Sequence, residues 1–538
     1  MTVEGVLLTG ADLTIEQVEA VARHGAPATL DAAARSRMER SRAVVDSLVA
    51  EGAVVYGVTT GVGAMADRLI EPADAERLQE NLLVSHAAGV GEPLPRDVVR
   101  AMLLLRANTL ALGFSGARPE VAERLLDFLR LGIHPVIPAQ GSVGASGDLA
   151  PLAHLGLPLI GRGQVELAGQ VVPALIALRE TGLEPLRLGA KEGLAILNGT
   201  QLMSALGALL AADGRRLVAT ANVAAAMSVE ALLGTDVAFA AALQEARPHP
   251  GQVSVAAELR ELLRDSGVQR SHHASAHKVQ DPYSLRCVPQ VHGAVRDALA
   301  HLERVLAIEM NAATDNPLIF PDGGVVDGSA RATGGGRVIS GGNFHGEPIA
   351  LALDFAKLAL AELGSIAERR IALLQDPHLN DHLAAFLGSD SGLEAGLMLL
   401  QYTAAALASE NKVLVHPASA DSIPTSANQE DHVSMGPIAG RQARTILEHV
   451  QKIVAIELLC AARALDLRLP LLDAAEPGSH VTPGAGVAAA HALVREVVRP
   501  WEGDREPGPD IEAAWRLVRD GRLAELARPG DGVRPGRQ

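Results

Sequence analysis

The chain has 538 residues and a formal net charge of −16 at pH 7, and aromatic residues make up only 2% of it. With hydrophobic residues at 48%, its core must be built from aliphatic side chains, and alanine and leucine at this density favour helices. The acidic balance argues against nucleic acid as a partner and against an anionic membrane surface, because both reward clustered lysine and arginine.

The sequence also indicates the cellular compartment of the protein. Cys287 and Cys460 are the only cysteines, too few for a disulfide framework or a cysteine zinc site. The N-terminus lacks the basic start and apolar core of a signal peptide, and no apolar run reaches membrane-spanning length without a polar break. We therefore expect a cytoplasmic protein with no membrane partner.

The first part of the chain predicts a series of short elements. A capping box at 14–17 precedes a helix that stops at Gly25. A β-prone run at 54–56 enters a glycine-rich turn at 57–63, which lacks a Walker lysine and a full dinucleotide fingerprint and is therefore not interpreted as a nucleotide site. Further helices are predicted at 30–49, 75–86, 96–112 and 119–131, and a small hairpin at 165–172.

The most unusual stretch is 141–154, whose centre is Ala145-Ser146-Gly147. Gly147 has no side chain, so its backbone nitrogen can approach the carbonyl carbon of Ala145. Attack by that nitrogen with loss of water would close a five-membered imidazolone ring. Loss of the Ser146 hydroxyl as water would then leave an exocyclic alkene, which is an electrophile. The alternative interpretation is a glycine-rich strand-to-helix loop that Asp148 caps.

Beyond Gly199 the pattern changes to long Ala/Leu segments, which predict helices buried on much of their circumference. Such helices fit a bundle whose outer faces also pack on other subunits. The segments lie near 201–234, 290–313, 346–374, 392–415 and 436–465. The glycine-rich stretch 321–342 predicts a mobile loop or a short hairpin.

We divide the chain into four parts on this basis. An N-terminal region at 1–200 contains the Ala-Ser-Gly loop, and a central long-helix bundle follows at 201–480. A C-terminal helical segment at 481–528 precedes a tail at 529–538 that is predicted to be disordered.

The run 141–154 resembles the signature of the aromatic amino acid ammonia-lyases and aminomutases, and the similarity extends over about residues 3–468. In that family Ala-Ser-Gly cyclises to 4-methylidene-imidazol-5-one (MIO). The resemblance therefore implies that Ala145, Ser146 and Gly147 form MIO autocatalytically, with no external cofactor. It also implies a mainly α-helical fold of the ammonia-lyase/fumarase-like type, in which a long-helix bundle joins an N-terminal MIO-bearing part. The family assembles as a homotetramer with shared active sites.

Elimination of ammonia from an amino acid needs an electrophile for the amine, a base at Cβ and a cation for the carboxylate. Tyr56 precedes the glycine turn, and the run 56–61 closely matches the family loop whose tyrosine is the acid/base at Cβ. Taken alone, a tyrosine in this position is usually a packing residue. Val62 stands where the family usually has phenylalanine, a departure that could alter closure of the loop.

The block that begins at Gln280 is the second strong match. Pro282 disfavours helix at the preceding residue, and 283–286 can start the next helix, so Tyr283 and Arg286 would lie on one face. The resemblance implies that Arg286 binds the substrate carboxylate, with Tyr283 and Gln280 beside it.

Two further positions match residues around the MIO. Asn198 corresponds to the family's asparagine, which contacts the MIO and supports its formation. Phe344 corresponds to a phenylalanine that lines the site, although ordinary core filling is an alternative interpretation.

The substrate is indicated by Glu430 and His86. The histidine-specific branch of the family has glutamate where this chain has Glu430, and Ser-His at 85–86, whereas the phenylalanine and tyrosine lyases usually carry other residues. A glutamate can accept an imidazole N–H or stabilise imidazolium. The resemblance thus implies conversion of L-histidine to trans-urocanate and ammonia, the first step of histidine degradation. The alternatives are a phenylalanine or tyrosine ammonia-lyase, an aminomutase, or an inactive helical scaffold.

The histidines at 272, 273 and 277 invite a metal interpretation because two of them are four residues apart. No carboxylate or cysteine set completes a site nearby, so we predict no metal.

Overall fold

The computed structural model describes residues 4–63, 68–273, 278–323, 330–331, 335–389, 392–475 and 480–527. The predicted tail at 529–538 lies outside these residues. The chain divides into two compact units. The first comprises 1–212, 302–354 and 417–441, and the second comprises 213–301, 355–416 and 442–538. The four-part division expected from the sequence stays a prediction.

The first unit combines helices with small sheets. Its shorter α-helices are Ile15–His24, Ala32–Ala50, Ala75–His86, Arg96–Ala111, Pro119–Leu131, Leu149–Gly156, Ala174–Glu180 and Glu192–Leu197, and its short 3₁₀ helices are Pro72–Asp74, Leu157–Ile160 and Ser426–Asn428. The helix Arg96–Ala111 is buried from Ala101 to Ala111 and forms the centre of this unit.

The strands of the first unit form separate small sheets. Val6–Leu8 pairs in parallel with Ala28–Leu30, and Val90–Pro93 pairs antiparallel with Pro138–Gln140. The antiparallel three-stranded sheets are His134–Pro135, Gln164–Leu167 and Gln170–Pro173, and Leu318–Phe320, Arg337–Ile339 and Ala330–Arg331. The hairpin predicted at 165–172 is confirmed, and the glycine-rich stretch contains short antiparallel pairing.

The second unit is built from helices. Those that lie wholly within it are Ala241–Glu245, Pro250–Leu262, Gly267–His272, Tyr283–Arg286, Met398–Leu414, Ala485–Val497 and Gly508–Arg519, with 3₁₀ turns at Asp236–Phe239, Ala385–Leu387 and Ala524–Ala527. Its interior holds a fully buried ion pair between Arg370 and Glu457, and Glu457 also accepts a hydrogen bond from Ser228 at 2.8 Å.

The longest helices contribute residues to both units. They are Gln201–Ala231, Val288–Glu309, Glu347–Gln375 and Gly436–Ala475. These helices confirm the predicted long-helix architecture, and the last continues about ten residues beyond the predicted end, through Pro470. None of the helices in the described part of the chain combines the length and apolar character needed to cross a membrane.

The capping box is confirmed, because the Thr14 side chain accepts from Gln17 N and the Gln17 side chain accepts from Thr14 N. The strand predicted at 54–56 is wrong, since no strand forms there. The Thr59 hydroxyl accepts from Val55 N at 2.9 Å and donates to Ala53 O at 2.5 Å. These local hydrogen bonds fold the segment into a turn and satisfy backbone groups that a strand would use for pairing.

Candidate active site

Backbone geometry makes glycine necessary in the signature loop. Gly144 and Gly147 have φ values of 69° and 75°, in the left-handed region. A side chain at Gly147 would collide with the backbone of Gly199, with which Gly147 forms a parallel bridge, and one at Gly144 would collide with Ser434 Oγ. The loop thus lies so close to two distant segments that only glycine fits at both positions.

The Ser146 hydroxyl faces a carboxylate. Ser146 is half-buried, and its Oγ donates a hydrogen bond to Glu430 Oε1 at 2.9 Å. The other carboxylate oxygen, Oε2, accepts from Thr425 Oγ1 at 2.7 Å. Both oxygens of Glu430 are therefore fixed by hydroxyl donors, and one of those donors is the central residue of the loop.

A tight turn places Glu430 against the loop. Thr425 and Glu430 pair antiparallel, with Thr425 N donating to Glu430 O at 2.9 Å and Glu430 N donating to Thr425 O at 3.3 Å. Between them Ser426, Ala427 and Asn428 all adopt positive φ. This conformation is costly for residues other than glycine, and such strain concentrates at functional sites.

The chain after Glu430 continues along the loop. Met435 N donates to Val143 O at 2.8 Å, and Ser434 Oγ donates to Gly144 O at 3.2 Å. Ala145, only 5% exposed, packs in a small apolar cluster with Val433 and Met435. The segment from Glu430 to Met435 therefore contacts the loop on both sides of Ala145.

Asn198 contacts the opposite end of Ser146. Its Nδ2 donates to Ser146 O at 3.3 Å, and its backbone carbonyl accepts from the buried Arg106 guanidinium. The next carbonyl, that of Gly199, accepts from Asp148 N at 2.7 Å. Burial lowers the pKa of Arg106 to about 10, partly offset by the nearby Asp315 carboxylate, so this arginine remains a cation at neutral pH.

Asp148 does not cap its own helix, contrary to the alternative considered from sequence. Its Oδ2 accepts from Leu202 N at 2.8 Å and from Met203 N at 3.1 Å, at the start of the helix Gln201–Ala231. Burial raises the pKa of Asp148 to about 7, although the two N–H donors act to lower it. Asp148 therefore ties the loop to the N-terminus of a long helix.

Tyr56 lies in a loop that contacts two parts of this site. Its hydroxyl accepts from Gly63 N at 3.3 Å. A Cβ at Gly57 would lie 2.6 Å from the Leu194 side chain, on the helix that ends just before Asn198, and one at Gly63 would lie 3.3 Å from Ser426 Oγ. The predicted glycine-rich turn at 57–63 lies within the described residues, and residues 64–67, which follow it, lie outside them.

His86 and Phe344 are both half-buried and lie beside segments that form the site. His86 ends the helix Ala75–His86, and its Nδ1 lies 2.8 Å from Leu82 O. The chain then returns in the strand that pairs with Pro138–Gln140, immediately before the loop. Phe344 precedes His345, whose ring stacks on His432 with centroids 5.8 Å apart.

Gln280, Tyr283 and Arg286 belong to the second unit. Tyr283 and Arg286 share one face of a single helical turn, as predicted, and the Arg286 guanidinium carbon lies 4.5 Å from the centroid of the Tyr283 ring. Arg286 Nε donates to Asp281 O at 3.0 Å, and Asp281 Oδ2 accepts from Thr235 N at 2.7 Å. Gln280 and Tyr283 are exposed to solvent.

The histidine cluster is described only at His272 and His273. His277 lies outside the described residues, and His272 Nε2 lies 3.3 Å from Gly234 O. Over the described ranges no set of three histidine, cysteine, aspartate or glutamate side chains is arranged to hold a metal ion.

Comparison with known proteins identifies the family of this chain. The model of the family described as aromatic amino acid lyase matches residues 13–496. The chain belongs to the aromatic amino acid lyase family. It is 52% identical over 536 residues to the histidine ammonia-lyase of Chloroflexus aurantiacus, with 99% of each chain covered.

Solved structures of this family have the same fold. The histidine ammonia-lyase from Trypanosoma cruzi is 42% identical, with a TM-score of 0.86, and the match covers 97% of this chain and 94% of that one. The tyrosine aminomutase from Streptomyces globisporus is 37% identical, with a TM-score of 0.87, and the match covers 97% and 98%. The mainly α-helical fold expected from the sequence is therefore confirmed.

Several contacts around this candidate site were not predicted from the sequence. Thr425 and Ser434 hold Glu430 and the loop, Arg106 holds the backbone at Asn198, and Asp148 reaches a helix more than fifty residues away. Except for the Thr425–Glu430 hydrogen bond, which spans five residues, these contacts join residues distant in sequence, and spacing does not reveal them. For Arg106 the sequence did contain a signal, because a charged residue within the mainly apolar segment 101–111 has to be buried with a partner.

Proposed function

We propose that this member of the family is an ammonia-lyase that converts L-histidine to trans-urocanate and ammonia. The observation that carries the proposal is the contact between Ser146 and Glu430, because it puts a carboxylate beside the residue from which the electrophile would form. A carboxylate suits an imidazole substrate, whose N–H it can accept and whose protonated form it can stabilise. The full-length identity of 52% to a histidine ammonia-lyase supports the same assignment.

The loop residues fit the MIO group. The left-handed φ of Gly147 and its approach to Gly199 hold the loop in a bend, while Asn198 binds the Ser146 carbonyl. We propose that Ala145, Ser146 and Gly147 provide the ring and that Asn198 and Phe344 lie against it. When formed, this group would supply an electrophile that makes the substrate amine a better leaving group.

The remaining roles are assigned to side chains of this chain. Tyr56 would remove the Cβ proton, because its hydroxyl lies in the loop that contacts the Thr425–Glu430 turn and the helix before Asn198. His86 and Glu430 would bind the imidazole of the substrate.

Arg286 would bind the substrate carboxylate through a charge-assisted pair, with Tyr283 and Gln280 beside it. The Tyr283 ring packs against the Arg286 guanidinium, which limits the orientations available to it. We further propose that the protein works as a cytoplasmic homotetramer with shared active sites, as the family resemblance implies.

A substrate panel tests this proposal. Purified protein is supplied separately with L-histidine, L-phenylalanine and L-tyrosine, and near-ultraviolet absorbance follows the arylacrylate product. We expect urocanate from histidine, and no comparable rate with the other two. Cinnamate or coumarate without urocanate would overturn the histidine assignment, and a β-amino acid product would indicate an aminomutase. Absence of reaction with all three would favour an inactive scaffold.

A further inference from the structure

The hydroxyl of Ser146 has a specific partner. Ser146 Oγ donates to Glu430 Oε1 at 2.9 Å, so the group that must be lost to make the electrophile is bound by a carboxylate. We propose that Glu430 is also a catalytic residue of MIO formation, carrying the proton in the dehydration of Ser146. The inference rests on the proposed function, since it concerns the making of the same group.

The proposed step balances in atoms and electrons. After Gly147 N has closed on the Ala145 carbonyl carbon and that oxygen has left as water, the Cα–H bond of residue 146 breaks and Glu430 takes the proton. A Cα=Cβ double bond forms, the Cβ–Oγ bond breaks, and Glu430 returns the proton to Oγ. One water leaves, nothing is oxidised or reduced, and Glu430 ends as the carboxylate it was at the start.

The surroundings of Glu430 orient it for this step. Thr425 Oγ1 donates to Oε2 at 2.7 Å, which leaves Oε1 directed at Ser146. The strained turn at 426–428 and the antiparallel pairing of Thr425 with Glu430 hold the carboxylate in place. A general acid–base group must lie within hydrogen-bond distance of the atom it serves, and Glu430 meets that condition at Oγ.

The same segment also holds the peptide that cyclises. Ser434 Oγ donates to Gly144 O and Met435 N donates to Val143 O, so the backbone leading to Ala145 is fixed relative to Glu430. Ser434 is accordingly a positioning residue. The neighbouring carboxyl of Asp148 has no hydrogen bond to Ser146: its Oδ2 accepts from the N–H groups of Leu202 and Met203, and its buried Oδ1 has no hydrogen-bond partner among the described residues.

Glu430→Gln tests the proposal, with Asp431→Asn as the matched control. Glutamine keeps the shape and can still accept from Ser146, but it cannot carry the proton. Asp431 is the adjacent acid and is exposed, so its variant makes the same change in charge without touching the loop. Each protein is synthesised in a cell-free system, sampled over time and weighed intact by mass spectrometry, with its thermal unfolding recorded.

We expect wild type and Asp431→Asn to become lighter than the encoded mass by two water molecules. Glu430→Gln should lose the first water and retain the second, or lose the second more slowly by on the order of 10²-fold. Loss of both waters at the wild-type rate would overturn the proposal and leave the histidine assignment intact. Loss of neither water would also overturn it, because Glu430 would then be needed for ring closure. Wild type at its full encoded mass would instead contradict the proposed function.

Thr425→Val provides a second variant should Glu430→Gln fail to fold. It keeps the carboxylate but removes the hydroxyl that orients it. Loss of the second water should slow by about fivefold, in line with the roughly 1 kcal/mol that one hydrogen bond contributes. An unchanged time course in a folded Thr425→Val protein would count against the role assigned to Glu430.

Discussion

The Ala-Ser-Gly loop and the Gln280–Arg286 turn are held in opposite ways. The loop is fixed by contacts with residues far away in sequence, including Asn198, Glu430 and Ser434. The turn is short and partly exposed, and the Arg286 contacts that hold it come from its own neighbours, Tyr283 and Asp281. A rigid loop suits a group that must react with itself, whereas a cation with accessible donors suits a ligand that arrives from solution.

This contrast predicts different consequences of mutation in the two regions. Changes in the loop should affect formation of the electrophile and the rate of the reaction. Changes in the turn should affect mainly substrate binding, because the guanidinium would contact the carboxylate in the ground state and the transition state alike.

The largest effect is expected for Gly147→Ala. The new Cβ would collide with the Gly199 backbone and would be attached to a residue with φ of 75°. The loop must then move, so the variant should not lose the two waters and kcat should fall by on the order of 10³-fold or more. Mass spectrometry and the histidine assay measure both.

Gly169→Ala is the control for this prediction. Gly169 also has positive φ, at 81°, but a Cβ there meets nothing within 4 Å. It should cost about 1 kcal/mol of stability and leave the mass loss and kcat unchanged. Equal behaviour of the two variants would show that backbone strain, and not the approach to Gly199, controls the loop.

Arg286→Lys should raise KM for histidine by about 10²-fold, with a smaller change in kcat. Lysine keeps the charge but loses the planar donor pair that binds a carboxylate bidentately. Steady-state kinetics separates the two parameters, and the exposed Arg270→Lys in the same unit is the matched control. A fall in kcat with unchanged KM would show that Arg286, like the loop residues, affects the rate of the reaction and not substrate binding.

Each unit buries a carboxyl group whose pKa is raised to about 7. These groups are Asp148 in the first unit and Glu230 in the second, and their effect on stability can be measured as a function of pH. Burial is the main cause at Glu230, while hydrogen bonds from Ser266 and Gly484 act to lower the pKa. A folded pKa above the ordinary 4.5 means that the folded protein binds the proton more tightly, so this contribution to stability is complete below pH 4.5 and is lost as pH rises toward 7.

Glu230→Gln should remove that dependence. Between pH 4.5 and 7 the wild type should lose about 3 kcal/mol more of its free energy of unfolding than the variant. Denaturant unfolding at a series of pH values gives the two slopes. Parallel slopes would mean that Glu230 has no raised pKa in the folded protein.

The smallest effect is expected for Asp281→Asn. The carboxylate accepts from Thr235 N, and its loss would loosen the backbone carbonyl that binds Arg286. We expect a rise of a few-fold in KM, in line with about 1 kcal/mol for one hydrogen bond, and no change in the mass of the protein. If Asp281→Asn failed to lose the two waters, the turn would also affect formation of the electrophile, and the contrast between the two regions would be wrong.

Local patterns predicted much of the fold. The capping box at Thr14 and the apolar periodicity of segments such as 201–234 gave the correct element types because those signals are contained within one helix. The run at 54–56 was mistaken for a strand because the Thr59 hydroxyl, a side-chain contact, decides its conformation.

The site was predicted residue by residue from the family resemblance, but its connections were not. Ser146 and Glu430 are 284 residues apart, and nothing in their spacing predicts a hydrogen bond between them. The capping of a long helix by Asp148 is likewise a tertiary contact. Such contacts depend on how the elements pack, which sequence periodicity does not specify.

We propose that Ala145, Ser146 and Gly147 form the electrophile that acts on histidine. The most direct measurement is the intact mass of wild type and Ser146→Ala, with the change localised by mass spectrometry to the peptide that contains the loop, and with urocanate production assayed on the same samples. We expect the wild type to be active and to be lighter by two water molecules in that peptide. We expect Ser146→Ala to keep at least one of those waters and to lose nearly all activity. A wild-type protein at its full encoded mass that still produces urocanate would contradict this proposal.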